Sequence, residues 1–390
     1  MNKKLMAVAV AGALAVPAMA FAQASNVQIY GRVNMGIDNY QSKGATAGSA
    51  ADMKSRYRVY DYTSRLGFRG TEALGGGLNA VFLMESGVNV DTGSQAGQAG
   101  AANTSTGFLS SRIGHVGLQG NWGLFTFGRS NVWWGNGRND QTSANYISGN
   151  TVGLHTGTFG RGMGVGVTRV SNLAQYTSPT FSGFNAVLSY SPGRQEAQGV
   201  NLDTNGKLWG VTLQGEFGQF MGGLDYVKDQ GNTPAAGGSQ GANIGTKFRI
   251  GWAYQPGAQV SLLWIQTKLE NKGAAGGGGV DPTSNSVKQQ AWGINWEHVF
   301  GNIQALAQYA RAGNATGCAA AGACDNTSTR QWLVGARYLF SKRTAAYLTY
   351  GDTRNDSNYN QDYLGGSYTS GTAGVGADPR IWALGVIHNF

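Results

Sequence analysis

The feature that most constrains this chain is a period-two alternation of apolar and polar residues, repeated along its length. In Val27 to Asp38 the odd positions are Val27, Ile29, Gly31, Val33, Met35 and Ile37. The even positions are Gln28, Tyr30, Arg32, Asn34, Gly36 and Asp38. Side chains alternate across a β-strand, so this segment has one apolar face and one mostly polar face. Trp209, Val211, Leu213 and Phe217 alternate in the same way with Gly210, Thr212, Gln214 and Glu216. Further runs place Phe248, Ile250 and Trp252 against Lys247, Arg249 and Gly251, and Trp292, Ile294 and Trp296 against Gly293, Asn295 and Glu297. Another sets Trp332, Val334, Ala336, Tyr338 and Phe340 against Gln331, Gly335 and Arg337. A soluble β-sandwich also alternates. Its outward faces would carry more charge, however, and its strands would be shorter than these 9–12-residue runs.

Composition narrows the class. Glycine, at 63 of 390 residues, is about twice its usual share, and charged residues, at 13%, are near half theirs. Downstream of the N-terminal segment no apolar run is long enough for a membrane-spanning helix. Yet there are 10 Trp, 17 Tyr and 15 Phe. A chain whose strands hide half their residues in lipid and half in water has this modest average hydropathy.

The N-terminus sets the compartment. Lys3 and Lys4 precede an apolar run from Leu5 to Val16, and Pro17 to Ala22 offers small-residue cleavage sites. This is the layout of a secretory signal peptide, read here as residues 1–22 with cleavage after Ala22, leaving 23–390 as one barrel domain. Without Lys3 and Lys4 the mature chain keeps 27 basic and 20 acidic residues, a net +7.

Counting connections gives the architecture. Seven tight turns fall at 75–77, 121–123, 181–183, 218–220, 256–258, 301–302 and 341–343. Eight longer polar stretches lie near 41–55, 90–107, 131–168, 191–207, 229–245, 268–287, 312–328 and 355–378. Together they join sixteen strands of an all-β, antiparallel transmembrane barrel. An even strand number with short turns at one rim puts both termini on the periplasmic side of an outer membrane. The last strand, Ile381 to Phe390, puts Trp382, Leu384, Val386, His388 and Phe390 on one face and closes the barrel against the first.

Val27-Gln28-Ile29-Tyr30-Gly31-Arg32-Val33, the block from Ser64 to Leu78, Leu124-Phe125-Thr126-Phe127-Gly128-Arg129, Ser341-Lys342-Arg343-Thr344 and the terminal Phe390 resemble general porins of the β-proteobacterial type. The resemblance runs along the whole mature chain. It implies a sixteen-stranded barrel, a homotrimer and a third extracellular loop folded inward to constrict the pore. The function it implies is passive diffusion of small hydrophilic solutes and ions.

The arginines refine that expectation. Leu66 and Phe68 face lipid, so Arg65, Arg69 and Thr71 face the lumen; a charge facing mid-bilayer would cost about 2–4 kcal/mol. Similar porins place constriction arginines at positions matching Arg65, Arg112 and Arg169. Arg169 shares parity with Gln175 and Thr177 and is read as inward. Arg112 shares parity with Val116 and Leu118, and Arg129 with Phe125 and Phe127. These two point inward only if a bulge intervenes or the strand stops short of them. The stretch 131–168 is the expected constriction loop, since connections this long are usually functional. It holds Arg138, Arg161, Trp133, Trp134 and a single acid, Asp140. Relatives often carry carboxylates there, and an arginine where this chain has Ile387. Arginines with few opposing acids raise the local anion concentration, so anion preference is expected. Glu85, Glu216 and Glu297 also face inward by parity.

Other readings weaken on inspection. Gly160 to Gly166 resembles a nucleotide-binding loop but is followed by a strand rather than a helix. The four histidines show no metal spacing, so no metal or cofactor is expected. Basic residues are spread one per strand, so nucleic acid is not an expected partner. The expected partners are outer-membrane lipid, further copies of the chain, ions and small solutes. No enzymatic role is expected. The alternatives are a substrate-specific channel, left open by Trp133, Trp134 and Tyr146, and an outer-membrane enzyme or adhesin barrel. Cys318 and Cys324 share one exposed loop in an oxidising compartment and are expected to form a disulfide.

Overall fold

The computed structural model describes residues 26–62, 64–92, 109–132, 169–192, 207–230, 242–270, 286–318, 321–362 and 374–390. The signal-peptide segment 1–22 and most of the third loop, 133–168, lie outside the described residues. So do Arg138, Asp140, Arg161, Trp133, Trp134 and Tyr146. Among the described residues no helix is long and apolar enough to cross a membrane. The strands do so instead.

Sixteen strands close one antiparallel sheet. They are β1 (Asn26–Lys43), β2 (Met53–Asp61 continued by Arg65–Gly75), β3 (Leu78–Gly87), β4 (Ile113–Gly120), β5 (Gly123–Asn131) and β6 (Arg169–Thr177). Then come β7 (Phe184–Ser191), β8 (Leu208–Phe217), β9 (Phe220–Gln230), β10 (Ala242–Gln255) and β11 (Ala258–Glu270). The last five are β12 (Val287–Phe300), β13 (Ile303–Ala312), β14 (Thr329–Leu339), β15 (Thr344–Asn355) and β16 (Asp378–Asn389). The two parts of β2 pair in sequence along β1, Met53 to Asp61 against its upper half and Arg65 to Thr71 against its lower half. They are one barrel strand, interrupted at 62–64. The seven tight turns join strands at one rim, as their short length requires.

The expected strand length is exceeded at β1, which runs for 18 residues. Its upper half is shared between β2 and β16, so it rises above the mid-barrel wall.

Closure depends on the two chain ends. β1 pairs with β16 from Arg32–Asn389 to Lys43–Asp378. Below that ladder Gly31 and Phe390 exchange both backbone hydrogen bonds at 3.1 Å. A Cβ added to Gly31 would lie 2.4 Å from Cζ of the Phe390 ring. The glycine is therefore the space into which the terminal ring folds. No backbone edge faces hydrocarbon at this seam, where each unsatisfied group would cost several kcal/mol.

The outward face is apolar and ringed twice by aromatics. Towards the loop rim stand Trp209, Tyr226, Trp264, Trp292, Tyr309, Trp332, Tyr350 and Trp382. Cross-strand registers tie them together, with Trp264 opposite Trp292, Tyr309 opposite Trp332 and Tyr350 opposite Trp382. Towards the turn rim stand Phe184, Phe217, Phe220, Trp252, Phe300, Phe340 and Phe390. Paired aromatic girdles of this kind mark the two interfaces of a band about 25 Å tall. On β3 to β6 the upper row is missing: Met84, Gly114, Arg129 and Asn172 stand at those positions.

The disulfide expected between Cys318 and Cys324 is present, with Cα atoms 5.7 Å apart. It packs beside Val287, Ala291, Ala312 and Tyr359 at the loop rim. Thr327 locks it to the barrel, donating to the Cys324 carbonyl (2.7 Å) and accepting from the Ala315 amide (2.8 Å).

Filling the seam is testable. Gly31→Leu forces the Phe390 ring out of place, and overpacking of this sort costs about 1–3 kcal/mol. The variant is expected to show a lower melting temperature of the heat-modifiable folded band on gels. An unchanged melting temperature would mean that the seam does not need the ring.

Candidate functional site

The inward face of β1 and β2 is built by register. Arg32 stands directly opposite Arg65, Tyr30 opposite Gly67 and Gln28 opposite Arg69. Higher on the same face Asp38 is opposite Arg58. Like charges directly opposite destabilise a ladder, so Arg32 and Arg65 require an acid nearby. Glu85 of β3 supplies it. Its Oε2 lies 3.5 Å from Arg65 Nε, and its Oε1 accepts from Arg112 Nε at 2.7 Å. Tyr30 donates its hydroxyl to the same carboxylate at 3.1 Å. Gly67 makes that possible: a Cβ there would meet the Tyr30 ring at 2.4 Å. Thus the conspicuous Leu66-Gly67-Phe68-Arg69 run is an arginine-bearing wall with a slot for one tyrosine.

The other sequence-predicted arginines fall as follows. Arg69 donates to Gln28 Oε1 at 3.0 Å and lies over the Tyr30 ring, 5.3 Å from its centroid. Arg112 immediately precedes β4 and is free of its alternation, so its side chain turns to Glu85 despite sharing parity with Val116 and Leu118. Arg129 lies within β5, not in the loop. A bulge lies across from it: between the pairs Gly128–Leu173 and Ser130–Val170, the two residues Ser171 and Asn172 oppose Arg129 alone, and since the extra residue is on β6 the parity of Arg129 along β5, where it pairs with Gly114, is unchanged. Arg129 donates to Ser171 Oγ at 2.7 Å. The same bulge corrects the reading of Arg169. Counting alternate residues back from Gln175 crosses Ser171 and Asn172, so parity does not fix its direction. Arg169 lies within Coulombic reach of Arg112, Glu85, Arg129 and Arg65.

Two contributors were missed by sequence reading. Arg32 was placed on the polar face of β1 but not in the site, and it senses Arg65, Arg112, Glu85 and Arg337. Its parity was the available signal. The second is the far wall. Asp225 of β9 accepts from Thr212 at 2.6 Å, lies 3.5 Å from Lys247 Nζ and pairs with Arg249. Arg249 reaches on to Gln214 at 3.1 Å. All three charged groups are buried, and Asp225 offsets one of the two positive charges within the wall.

Both roots of the third loop turn inward. Val132, the first residue after β5, packs so that a Cβ on Gly210 of β8 would meet it at 2.6 Å. Gly210 is on the inward face, and β6 and β7 lie between. Val132 and Val170 bury together with Leu173, Leu208, Val227, Leu263 and Ile265. Five arginines and one glutamate therefore gather on the side of the barrel where the two roots of the third loop, Val132 and Val170, are buried. The net positive charge there can attract and transiently pair with anions.

The sequence pattern of Gram-negative porins matches residues 7–358. Major outer membrane protein P.IB of Neisseria gonorrhoeae is 29% identical over 371 residues, covering 90% of this chain and 93% of that protein. Outer membrane porin protein 32 of Delftia acidovorans is 32% identical over 275 residues, 69% of this chain and 71% of its own. Among solved structures, an anion-selective porin from Comamonas acidovorans superposes with a TM-score of 0.73 at 24% identity, covering 94% of this chain and 100% of that one. That likeness speaks to the fold.

Glu85 should hold the arginines together. Glu85→Gln is expected to destabilise the barrel by about 2 kcal/mol, between the values for exposed and buried pairs. Arg112→Ala should cost less in the Glu85→Gln background than alone. Strict additivity in denaturant unfolding would deny the coupling.

Proposed function

The chain belongs to the Gram-negative porin family, and on that premise we propose that its lumen is a diffusion path preferring small anions to cations. It is an outer-membrane β-barrel porin for passive passage of small hydrophilic solutes. The observation that carries the anion preference is the cluster of Arg32, Arg65, Arg112 and Arg169 around the carboxylate of Glu85, with Arg129 beside Arg169. Fixed positive charge in a narrow, low-dielectric passage concentrates anions and excludes cations. Arg69 extends the basic wall towards the turn rim. Inorganic anions and small carboxylates are the solutes this chemistry suits. We read the barrel as a channel and not an enzyme.

Three further readings belong with this proposal. Residues 1–22 act as a signal peptide. The third loop, with Arg138 and Arg161, folds into the pore; the inward packing of Val132 and Val170 at its two roots supports this. The barrel assembles as a homotrimer through the β3–β6 sector. That sector lacks the upper aromatic row and carries an apolar recess of about 560 Å³ lined by Val116, Leu118, Trp122, Phe125, Phe127 and Tyr176. An outward apolar face without interface anchors suits protein better than a lipid boundary.

A substrate-specific channel would need a file of free aromatic rings along the lumen. Tyr62 and Tyr347 are inward but buried, and their hydroxyls are committed to Asp38 (2.6 Å) and Asn34 (2.9 Å). They serve the wall rather than a solute.

The reversal potential of the reconstituted channel in a KCl gradient tests the charge reading. Anion selectivity is expected, and the double variant Arg65→Ala, Arg169→Ala should bring the permeability ratio several-fold closer to unity. Cation selectivity in the unaltered protein would refute it. For assembly, Val116→Arg should convert trimers to folded monomers on semi-native gels. Persistence of trimers would place the interface elsewhere.

A further inference from the structure

The loop rim carries a covered patch of inner wall. Gln331 of β14, Thr353 of β15 and Ser42 of β1 lie on the inward face and are fully buried, although polar side chains there would otherwise meet lumen water. Register sets them side by side, with Gln331 opposite Thr353 and Ser42 opposite Pro379 of β16. The segment 356–362, which follows β15, is anchored on both sides of this patch. On one side Tyr359 is fully buried on a platform of small inward residues, Ala291 of β12 with Ala310 and Ala312 of β13. On the other, Asp362 accepts from the hydroxyl of Tyr40 on β1 at 2.9 Å, and the Ser357 carbonyl accepts from Thr46 Oγ1 at 2.6 Å. The segment therefore crosses the top of the lumen wall as a strap.

The strap is held against a cost. Among the described residues no hydrogen-bond partner reaches Gln331 Oε1, Ser42 Oγ or Gln361 Oε1, though all three atoms are buried. Buried polar atoms without a partner are unfavourable, and lifting the strap returns them to water. What opposes lifting is concentrated at the disulfide loop. Asn358 donates its backbone amide to the Asn326 carbonyl and its Nδ2 to the Asp325 carbonyl, both at 2.9 Å. Asp356 donates its amide to the Ser328 carbonyl at 3.0 Å and accepts from the Ser328 hydroxyl. The carbonyls at 325 and 326 directly follow Cys324, and Asn326 is held in the left-handed region at φ 52°. Cys318 and Cys324 pack against the platform that seats Tyr359 and are themselves only half-buried. Covalent closure of this turn thus fixes the carbonyls that the strap needs.

We propose that the Cys318–Cys324 disulfide is a clasp that holds the strap against the wall, and that its reduction by a small thiol frees the strap and widens the mouth of the pore. A thiolate attacks one cysteine Sγ, the S–S bond breaks and a mixed disulfide forms. A second thiol resolves it, so the protein takes up two electrons and two protons as a pair of cysteine thiols while two reductant thiols become one disulfide. The half-buried position of both cysteines at the rim admits such a reductant. Without the closure the turn is free to leave its left-handed conformation, Asn358 loses both carbonyls, and Tyr359 loses one side of its seat. The inference rests on the barrel conducting but not on which ions it prefers.

Single-channel conductance of the reconstituted full-length barrel provides the test, with dithiothreitol added on both sides of the bilayer. Conductance is expected to rise by roughly 1.5-fold or more on reduction and to return on reoxidation with glutathione disulfide. The double variant Cys318→Ser, Cys324→Ser should show the raised conductance from the start and ignore the reductant. Tyr359→Ala, which keeps the disulfide, should also raise conductance and blunt the response. If either variant does not fold, the reductant acting on the folded unaltered barrel still decides. Thiol titration of the same sample reports whether the bond has opened. Unchanged conductance with both thiols free, or a disulfide that dithiothreitol does not reduce in the folded barrel, would each overturn the inference. Reversal potentials recorded alongside report the charge reading separately, so either reading can fail without the other.

Discussion

Everything in this protein depends on the backbone hydrogen bond in a solvent that cannot form one. Hydrocarbon leaves no N–H or C=O group unpaired without a cost of several kcal/mol, so a sheet that crosses it must have no edge. The chain meets that demand by bringing its first strand against its last. The seam is made by atoms rather than by topology alone: Gly31 lacks the Cβ that would strike the Phe390 ring, and the two residues trade backbone hydrogen bonds. Once the ladder closes, every strand has a lipid side and a water side. The period-two alternation is the trace of that division in the sequence.

Closure also explains why so much charge is tolerated inside. An arginine on the outward face at mid-bilayer would be costly, whereas on the inward face it meets water and other side chains. Even so, Arg32 directly opposite Arg65 is an unfavourable pair on its own. Glu85 offsets it by touching Arg65, Arg112 and Tyr30 together. The far wall is arranged differently. There Asp225 is enclosed with Lys247 and Arg249 and offsets one of their two positive charges. The larger excess of positive charge thus lies on the wall near the root of the third loop. The asymmetry gives the passage its electrostatic character.

Alternation made the strands, their count and their facing legible, and Arg65 and Arg69 could be placed from Leu66 and Phe68 alone. What failed to show is what alternation cannot encode. Nothing in Thr126-Phe127-Gly128-Arg129 marks a bulge, because the extra residue sits across the ladder in Ser171-Asn172. Parity therefore gave no valid reason for Arg169. Arg112 escaped for a related reason: it lies one residue before β4, and strand ends are set by tertiary pairing rather than by local pattern. The break of β2 at 62–64 was also silent, since it depends on Ser64 Oγ accepting from the Asn34 amide at 2.9 Å on the neighbouring strand. Arg32 was legible, on the polar face of β1, and its significance appears only when its register with Arg65 is known.

The bulge opposite Arg129 ties these observations together. A regular β5–β6 pair would carry its alternation to the rim and send the connecting loop outward, as the turns of a meander do. Two residues facing one instead bend the strand and increase its twist. Val170 and Leu173 are then both buried on the inner side, where strict alternation would have separated them. Val132, leaving β5, joins them across β6 and β7 against Gly210 of β8. The same irregularity that brings Arg129 onto Ser171 thus leaves the described roots of the loop, Val132 and Val170, buried on the inner side. Basic side chains and loop roots therefore meet at one height because a single break in register produces both. A change restoring strict pairing there would move the charges and the loop together.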